Sequence, residues 1–176
     1  CPPTPVADVG RGTAEAKELV PAGERAYAGK RVSAVGAATR LPAEQGKLLP
    51  RVLSTPDHYK YLKISEGCSN HCTYCLIPSI RGKYLSYPME ALLEEAKGMG
   101  ETEELILVAQ DITRYGEDGG ENQLVPLLKV LAALENIRHI RLLYCYPEKI
   151  GEELIALIRD EPKILKYLDI PLQHSE

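Results

Sequence analysis

From Tyr61 onward, short apolar runs typical of buried strands alternate with longer stretches whose apolar residues recur at helical spacing. Four strands are predicted, at 61–64, 105–109, 140–145 and 167–170. The helices between them are marked by Met89, Leu92, Leu93, Ala96 and Met99, by Leu124, Leu127, Leu128, Leu131 and Leu134, and by Leu154, Leu157 and Ile158. Three consecutive strand–helix–strand steps predict a parallel sheet with right-handed crossovers and helices packed outside it.

The length of this repeating region limits which α/β fold is possible. A closed (β/α)₈ barrel takes about 250 residues, and residues 57–176 cover about half of that. We therefore expect a partial (β/α) TIM-like barrel that is truncated after its fourth strand. Residues 1–56 hold seven of the 13 prolines among Ala and Gly, and they are predicted to be a linker or the remnant of a preceding domain, with short ordered pieces such as RVSAV.

Reactive groups in parallel sheets lie at the carboxyl ends of the strands. A cysteine-rich loop follows the first predicted strand, and Gln110-Asp111 follow the second. Tyr146-Pro147 follow the third strand, and Gln173-His174 follow the fourth. The four segments are therefore expected to lie together at the same edge of the sheet.

Three of the five cysteines lie within eight residues, at Cys68, Cys72 and Cys75. The number of cysteines is odd and no secretory signal is visible, so a disulfide framework is not expected. The missing signal also leads us to expect a cytoplasmic location. Three further interpretations compete. The thiols could be small buried side chains; a zinc site would need a histidine as its fourth ligand; a redox pair of Cys72 and Cys75 would leave Cys68 without a role.

An iron–sulfur cluster accounts for all three thiols, because a cubane cluster held at three irons keeps its fourth iron open for a non-protein ligand.

The composition disfavours membrane-spanning and general nucleic-acid-binding proteins. The chain has no apolar run long enough to span a membrane, and its formal net charge of −4 gives no general attraction to nucleic acid.

The motif C-x3-C-x-(aromatic)-C after the first strand of a βα repeat resembles the signature of radical S-adenosylmethionine (SAM) enzymes, with Tyr74 as the aromatic residue. The segments YLKISEGCSNHCTYCLIPSIRGKYLS, ELILVAQDITRYG, IRLLYCYP and KYLDIPLQH are similar to the methylthiotransferase branch. Within it, IPSIRG, AQDITRYG and DIPLQH resemble the RimO-type ribosomal-protein enzymes more closely than the tRNA enzymes. This resemblance begins near residue 51.

The resemblance implies a function and a cofactor set. Cys68, Cys72 and Cys75 would hold a [4Fe-4S] cluster whose open iron chelates SAM. A 5′-deoxyadenosyl radical would then lead to a methylthio group on the β-carbon of an aspartate in a small-subunit ribosomal protein. Further cofactor-binding positions are expected at Tyr74, Gln110, Asp111, Gln173 and His174.

The same resemblance implies partners outside residues 1–176. A second cluster is expected in an N-terminal domain, and an electron donor such as a flavodoxin-type reductant is expected to supply electrons. No membrane is expected to take part, and nucleic acid is not expected to be a direct substrate. The alternatives are a tRNA methylthiotransferase or another radical SAM enzyme, and a zinc or iron–sulfur module without catalytic activity.

Several other residues allow two interpretations from sequence alone. Gly67 is either a turn glycine or lets the backbone approach the cluster. Arg81 is either solvated or pairs with a carboxylate of the cofactor. Cys145 is expected to be a buried structural thiol, Cys1 matches no motif, and the acidic residues 101–104 are expected to form a solvated face.

Overall fold

A computed structural model describes residues 9–11, 32–34, 56 and 58–172. They belong to two compact units, which are described separately: one contains residues 9–11, 32–34 and Gly67–Lys83, and the other contains the rest. The strands in chain order are β1 (Val9–Arg11), β2 (Val32–Ala34), β3 (Tyr59–Lys63), β4 (Ser65–Glu66), β5 (Leu85–Ser86), β6 (Thr102–Val108), β7 (Ile137–Leu142) and β8 (Ile164–Leu168). The α-helices are α1 (Ile77–Arg81), α2 (Met89–Gly98), α3 (Leu124–Ala132) and α4 (Glu152–Asp160).

In the first unit, β1 and β2 pair in parallel, with Val9 opposite Val32. The second of these strands falls within RVSAV, which was predicted to be ordered. Helix α1 belongs to the same unit and follows the cysteine-rich segment.

The second unit contains a four-stranded parallel sheet in the order β3-β6-β7-β8. Each step from one strand to its neighbour passes through a helix, first α2, then α3 and then α4. This order confirms the predicted α/β class with a parallel sheet and helices. The antiparallel pair β4 and β5 was not predicted.

The helices cover one face of this sheet. Residues on that face alternate along each strand and have no solvent exposure; they include Leu62, Leu105, Leu107, Ile140 and Leu142. Helix α3 supplies Leu124, Leu127, Leu128 and Leu131, which recur at helical spacing and are also buried. The hydrophobic effect of this buried layer holds the helices on the sheet.

The other face of the sheet carries polar and aromatic side chains. They include Tyr61, Glu104, His139, Arg141 and Tyr167, which are half-buried or exposed. A cavity of about 340 Å³ lies against this face and is lined in part by Tyr61, Glu104 and His139.

The strands begin two to three residues earlier than predicted, at Tyr59, Thr102, Ile137 and Ile164. The early positions mix polar residues with buried apolar ones such as Ile137 and Ile164, so the sequence shows no continuous apolar run there. The acidic run 101–104 was expected to form a solvated face, but its last three residues lie in β6, where Thr102 is buried and Glu104 is only partly exposed. In the part of the chain that the structure describes, no helix is long and apolar enough to cross a membrane.

Candidate functional site

The segment Gly67–Lys83 forms a loop whose ends are held together by its own backbone. The N–H of Cys68 donates to the carbonyl oxygen of Gly82 at 3.1 Å. Gly67 has a φ of 71°, and a Cβ at this position would lie 2.3 Å from the carbonyl oxygen of Lys83. Both the left-handed backbone and the close approach require glycine here. This contact within the loop is the role that the structure shows for Gly67.

The three cysteines of the motif lie on this one loop. Cys68 is buried, whereas Cys72 and Cys75 are partly exposed. Two backbone N–H groups point at sulfur: that of Asn70 lies 3.4 Å from Cys68 Sγ, and that of Ile77 lies 3.5 Å from Cys75 Sγ. Hydrogen bonds of this kind stabilise negative charge on sulfur, and they tune iron–sulfur clusters.

This donor set suits an iron–sulfur cluster in its chemistry, because it offers soft thiol ligands with hydrogen-bonded sulfur atoms on a partly exposed loop. Among the residues described, no three His, Cys, Asp or Glu side chains are arranged to hold a single metal ion. Tyr74, between two of the cysteines, is 67% exposed, and the neighbouring Leu76 is exposed as well. Arg81 ends helix α1 and is partly buried.

In the second unit, the carboxyl end of β6 leads into a hydrogen-bonded turn. Asp111 is buried and caps the 3₁₀ helix Ile112–Arg114 by accepting from Thr113 N at 3.0 Å. The hydroxyl of Thr113 also donates to Asp111 and accepts from Tyr146 N at 3.4 Å. The segments that follow β6 and β7 are therefore joined at the edge where both were expected to lie.

The segment after β7 holds a residue that sequence analysis did not single out. Tyr144 has a φ of 61° and is the one described residue other than glycine with positive φ. Its N–H donates to Asp169 Oδ2 at 3.1 Å, and its carbonyl oxygen accepts from Ile112 N at 3.1 Å. These bonds join the ends of β6, β7 and β8. No residue type or spacing in the sequence marked Tyr144, because nothing about a tyrosine signals a left-handed backbone.

Cys145, the next residue, is fully buried, and its N–H donates to the carbonyl oxygen of Asp169 at 2.8 Å. Burial, with smaller contributions from Asp111 and Asp169, raises the pKa of its thiol to about 12. A thiol of this kind stays protonated at neutral pH, which agrees with the structural role expected for it.

The remaining predicted positions differ in how the structure places them. Gln110 is exposed at the carboxyl end of β6, and Asp111 is beside it but turned into the cap described above. Gln173, His174 and Cys1 lie outside the described residues. The predicted cofactor contacts of these residues stay predictions.

Comparison with known proteins adds a family match. The profile of the Radical SAM superfamily matches residues 62–176. A protein of Trichlorobacter lovleyi named "Ribosomal protein uS12 methylthiotransferase RimO" is 57% identical over 129 residues, which is 72% of this chain and 29% of that protein. Proteins of the same name from Caldanaerobacter subterraneus subsp. tengcongensis and Thermoanaerobacter sp. are 45% and 44% identical over 174 residues, or 97% of this chain and 39% of each relative.

These matches define how far the similarity reaches. Two of them cover 97% of the chain, so the similarity includes the N-terminal region, where the sequence motifs gave no clear resemblance. The chain spans 29% to 39% of the length of the three relatives described.

Proposed function

The chain belongs to the radical SAM superfamily, and from this membership we propose that it is part of a methylthiotransferase that modifies an aspartate of ribosomal protein uS12. The names of its relatives support the substrate, since each of the three is a ribosomal protein uS12 methylthiotransferase. The observation that carries the proposal is the loop at Gly67–Lys83, which presents three cysteines and directs two backbone N–H groups at their sulfur atoms.

In this proposal, Cys68, Cys72 and Cys75 hold a [4Fe-4S] cluster, and their N–H···S bonds stabilise the thiolate charge. When bound at these three cysteines, the cluster with SAM would supply the radical chemistry that functionalisation of the unactivated β-carbon of an aspartate requires. Gly67 permits the close backbone approach to Lys83 at the base of the loop that carries the three thiols.

The proposed cofactor contacts extend beyond the three cysteines to Tyr74, Gln110, Asp111, Gln173 and His174. Gln110 is exposed at the carboxyl end of β6, where its amide is available to a ligand. The role of Asp111 is narrower, because one carboxylate oxygen is already held by Thr113; we propose that it fixes the turn beside the ligand.

Other parts of the reaction require groups beyond this chain. We propose that a second cluster lies in an N-terminal domain of the full-length protein and that a flavodoxin-type reductant supplies the electrons. A cytoplasmic location is proposed, because uS12 is a ribosomal protein. Nucleic acid is not a direct substrate in this proposal.

The proposal is tested with the full-length protein, reconstituted anaerobically with iron and sulfide. We expect the wild type to form 5′-deoxyadenosine from SAM with a strong reductant, and Cys72→Ala to lose both bound iron and this product. Purified uS12 and bulk tRNA are then offered separately, and the mass of each is measured. A methylthio mass gain on uS12 supports the proposal.

Two results would contradict it. A mass gain on tRNA with none on uS12 would assign the enzyme to the tRNA class. A colourless, zinc-loaded protein that leaves SAM intact would remove the enzymatic function altogether.

A further inference from the structure

The backbone of Tyr144 is held in a conformation that its side chain disfavours. A left-handed φ of 61° costs a bulky L-residue about 1 to 2 kcal/mol relative to an ordinary backbone, whereas glycine adopts it freely. Two hydrogen bonds maintain it, one to Asp169 Oδ2 and one from Ile112 N. The turn carries Cys145 into the core, and glycine at position 144 would allow the same turn.

The ring of Tyr144 does not belong to the hydrophobic core of the sheet. It is 50% exposed, while the thiol of the next residue is fully buried. Residues in strained conformations that persist without a packing reason are concentrated at functional sites. Tyr144 also follows β7 at the carboxyl edge of a parallel sheet, where ligands bind in folds of this class. Core packing therefore does not account for a tyrosine in this strained backbone, and a ligand contact would.

Charged residues in the segments that follow β6, β7 and β8 differ in whether they have an ion-pair partner. Lys149 is paired with Glu117 at 3.0 Å, and Arg114 lies between Asp111 and Glu117 at 3.7 and 3.8 Å. Asp169, by contrast, accepts the N–H of Tyr144 but forms no ion pair with any residue that the structure describes. The unpaired carboxylate is bonded to the backbone of the residue that carries the half-exposed ring, and a carboxylate and an aromatic ring together can bind an ammonium or guanidinium group.

We propose, building on the function proposed above, that Tyr144 and Asp169 bind a lysine or arginine side chain of the ribosomal-protein substrate. The ring offers its face to the cation, and the carboxylate offers its charge. A ribosomal protein that contacts RNA phosphates carries such side chains in excess, whereas this chain has a formal net charge of −4. The same carboxylate repels the phosphates of tRNA, so the pair favours a protein substrate over a nucleic acid.

The test measures the dissociation constant of labelled uS12 for the full-length, cluster-loaded protein. We expect Tyr144→Gly to weaken binding about tenfold, which corresponds to the loss of one well-placed cation–π contact. Tyr144→Phe keeps the ring and is expected to stay within about twofold of the wild type. Asp169→Asn keeps an oxygen that accepts the N–H of Tyr144 but removes the charge, so it should weaken binding and reduce the dependence on salt.

Two controls separate recognition from folding. Tyr144→Gly removes the strain, so its midpoint of urea unfolding should be unchanged or higher than that of the wild type. Ile155→Ala removes another half-exposed apolar side chain, on helix α4, and should leave uS12 binding unchanged.

The outcomes are distinguishable. Wild-type affinity in Tyr144→Gly would overturn the recognition proposal alone. Weaker binding of SAM with unchanged binding of uS12 would also overturn it, because the ring would then contact the cofactor. Competition between tRNA and uS12 for the same surface would overturn it as well. If the wild type does not bind uS12 at all, the proposed substrate fails as well.

Discussion

The guanidinium of Arg141 donates two hydrogen bonds to the carboxylate of Glu104, from Nε to Oε1 at 2.5 Å and from Nη2 to Oε2 at 3.2 Å. The two residues lie diagonally across neighbouring strands, because Glu104 pairs in register with His139 and Ile106 with Arg141. The guanidinium also lies 5.0 Å from the centre of the Tyr167 ring on β8. This arrangement links three strands on the face that the helices do not cover.

Replacing Glu104 with Gln should destabilise the protein in a pH-dependent way. The hydrogen bonds and charge of Arg141 lower the pKa of Glu104 below its ordinary value. Its stabilising contribution is therefore present above the unfolded-state pKa and is lost as the pH falls through the folded-state pKa. At neutral pH we expect Glu104→Gln to lower the free energy of unfolding by about 1 kcal/mol.

Urea unfolding of wild type and variant, at neutral pH and again below the depressed pKa, measures this difference. Glu103→Gln is the matched control on the same strand, because Glu103 pairs with Arg138 at 3.2 Å in an exposed position and should matter less. If Glu104→Gln costs as much below the depressed pKa as at neutral pH, the loss has another cause than the ion pair.

Lys60 should be among the most sensitive charged residues of the sheet. It is buried on the helix-covered face, and its ammonium donates to the carbonyl oxygens of Met99 at 2.5 Å and Glu101 at 2.9 Å, just past the end of helix α2. Lys60→Met keeps the length of the side chain but leaves both carbonyls without this donor. We expect a loss of about 2 to 3 kcal/mol in the free energy of unfolding.

Lys63→Met is the control for Lys60, because Lys63 lies on the same strand, is partly exposed and pairs with Glu66 near the surface. Its removal should cost less than about 1 kcal/mol. Equal urea midpoints for the two variants would show that the buried ammonium does not hold the end of α2.

Much of the fold was predictable because its signals are local. The leucines of α3 recur at helical spacing, and the run Leu105–Ala109 reads as a buried strand whatever surrounds it. The starts of the strands were not predictable in this way. Lys60 looks like a surface residue in the sequence, and only its contact with the end of α2, about 40 residues away, allows it to be buried in β3.

In the candidate site, too, residues with local sequence signals were predictable and residues that depend on distant contacts were not. The three cysteines were found from their spacing, since thiols at such intervals leave few alternatives. Tyr144 was missed because its significance depends on a backbone angle and on Asp169, which is 25 residues away in sequence. Asp111 was expected to contact the cofactor; the structure shows that it caps a 3₁₀ helix, and the cofactor contact stays a prediction.

Gly67 should be essential for cluster loading because no side chain fits between it and Lys83. This steric effect can be tested separately from the positive φ of Gly67. A methyl group at Gly67 would lie 2.3 Å from the carbonyl oxygen of Lys83, whereas Gly82, with a similar φ of 78°, has no atom within 4 Å of the same position. Gly82 has a ψ of −173°, in a region that is essentially restricted to glycine, so Gly82→Ala carries a backbone cost of about 1 to 3 kcal/mol without a clash, while Gly67→Ala adds a clash with the backbone.

Iron content after anaerobic reconstitution measures the effect on the loop. We expect Gly67→Ala to lose most of its bound iron and Gly82→Ala to retain most of it, with the circular dichroism of the sheet unchanged in both. Equal iron content in the two variants would mean that closure of the loop at Lys83 does not determine cluster binding.

Cys145 should be chemically inert in the folded protein although it forms no disulfide. The thiolate is the reactive form, and burial raises the pKa of Cys145 to about 12, so almost no thiolate exists near neutral pH. Cys72 and Cys75 are partly exposed, so an alkylating reagent can reach them. In cluster-free protein, iodoacetamide should therefore modify Cys72 and Cys75 under native conditions and Cys145 only in urea, as mapped by peptide mass spectrometry.

Cys145→Ala should load iron as fully as the wild type. Rapid native alkylation of Cys145, or loss of iron in Cys145→Ala, would instead make this thiol a participant in the cluster site.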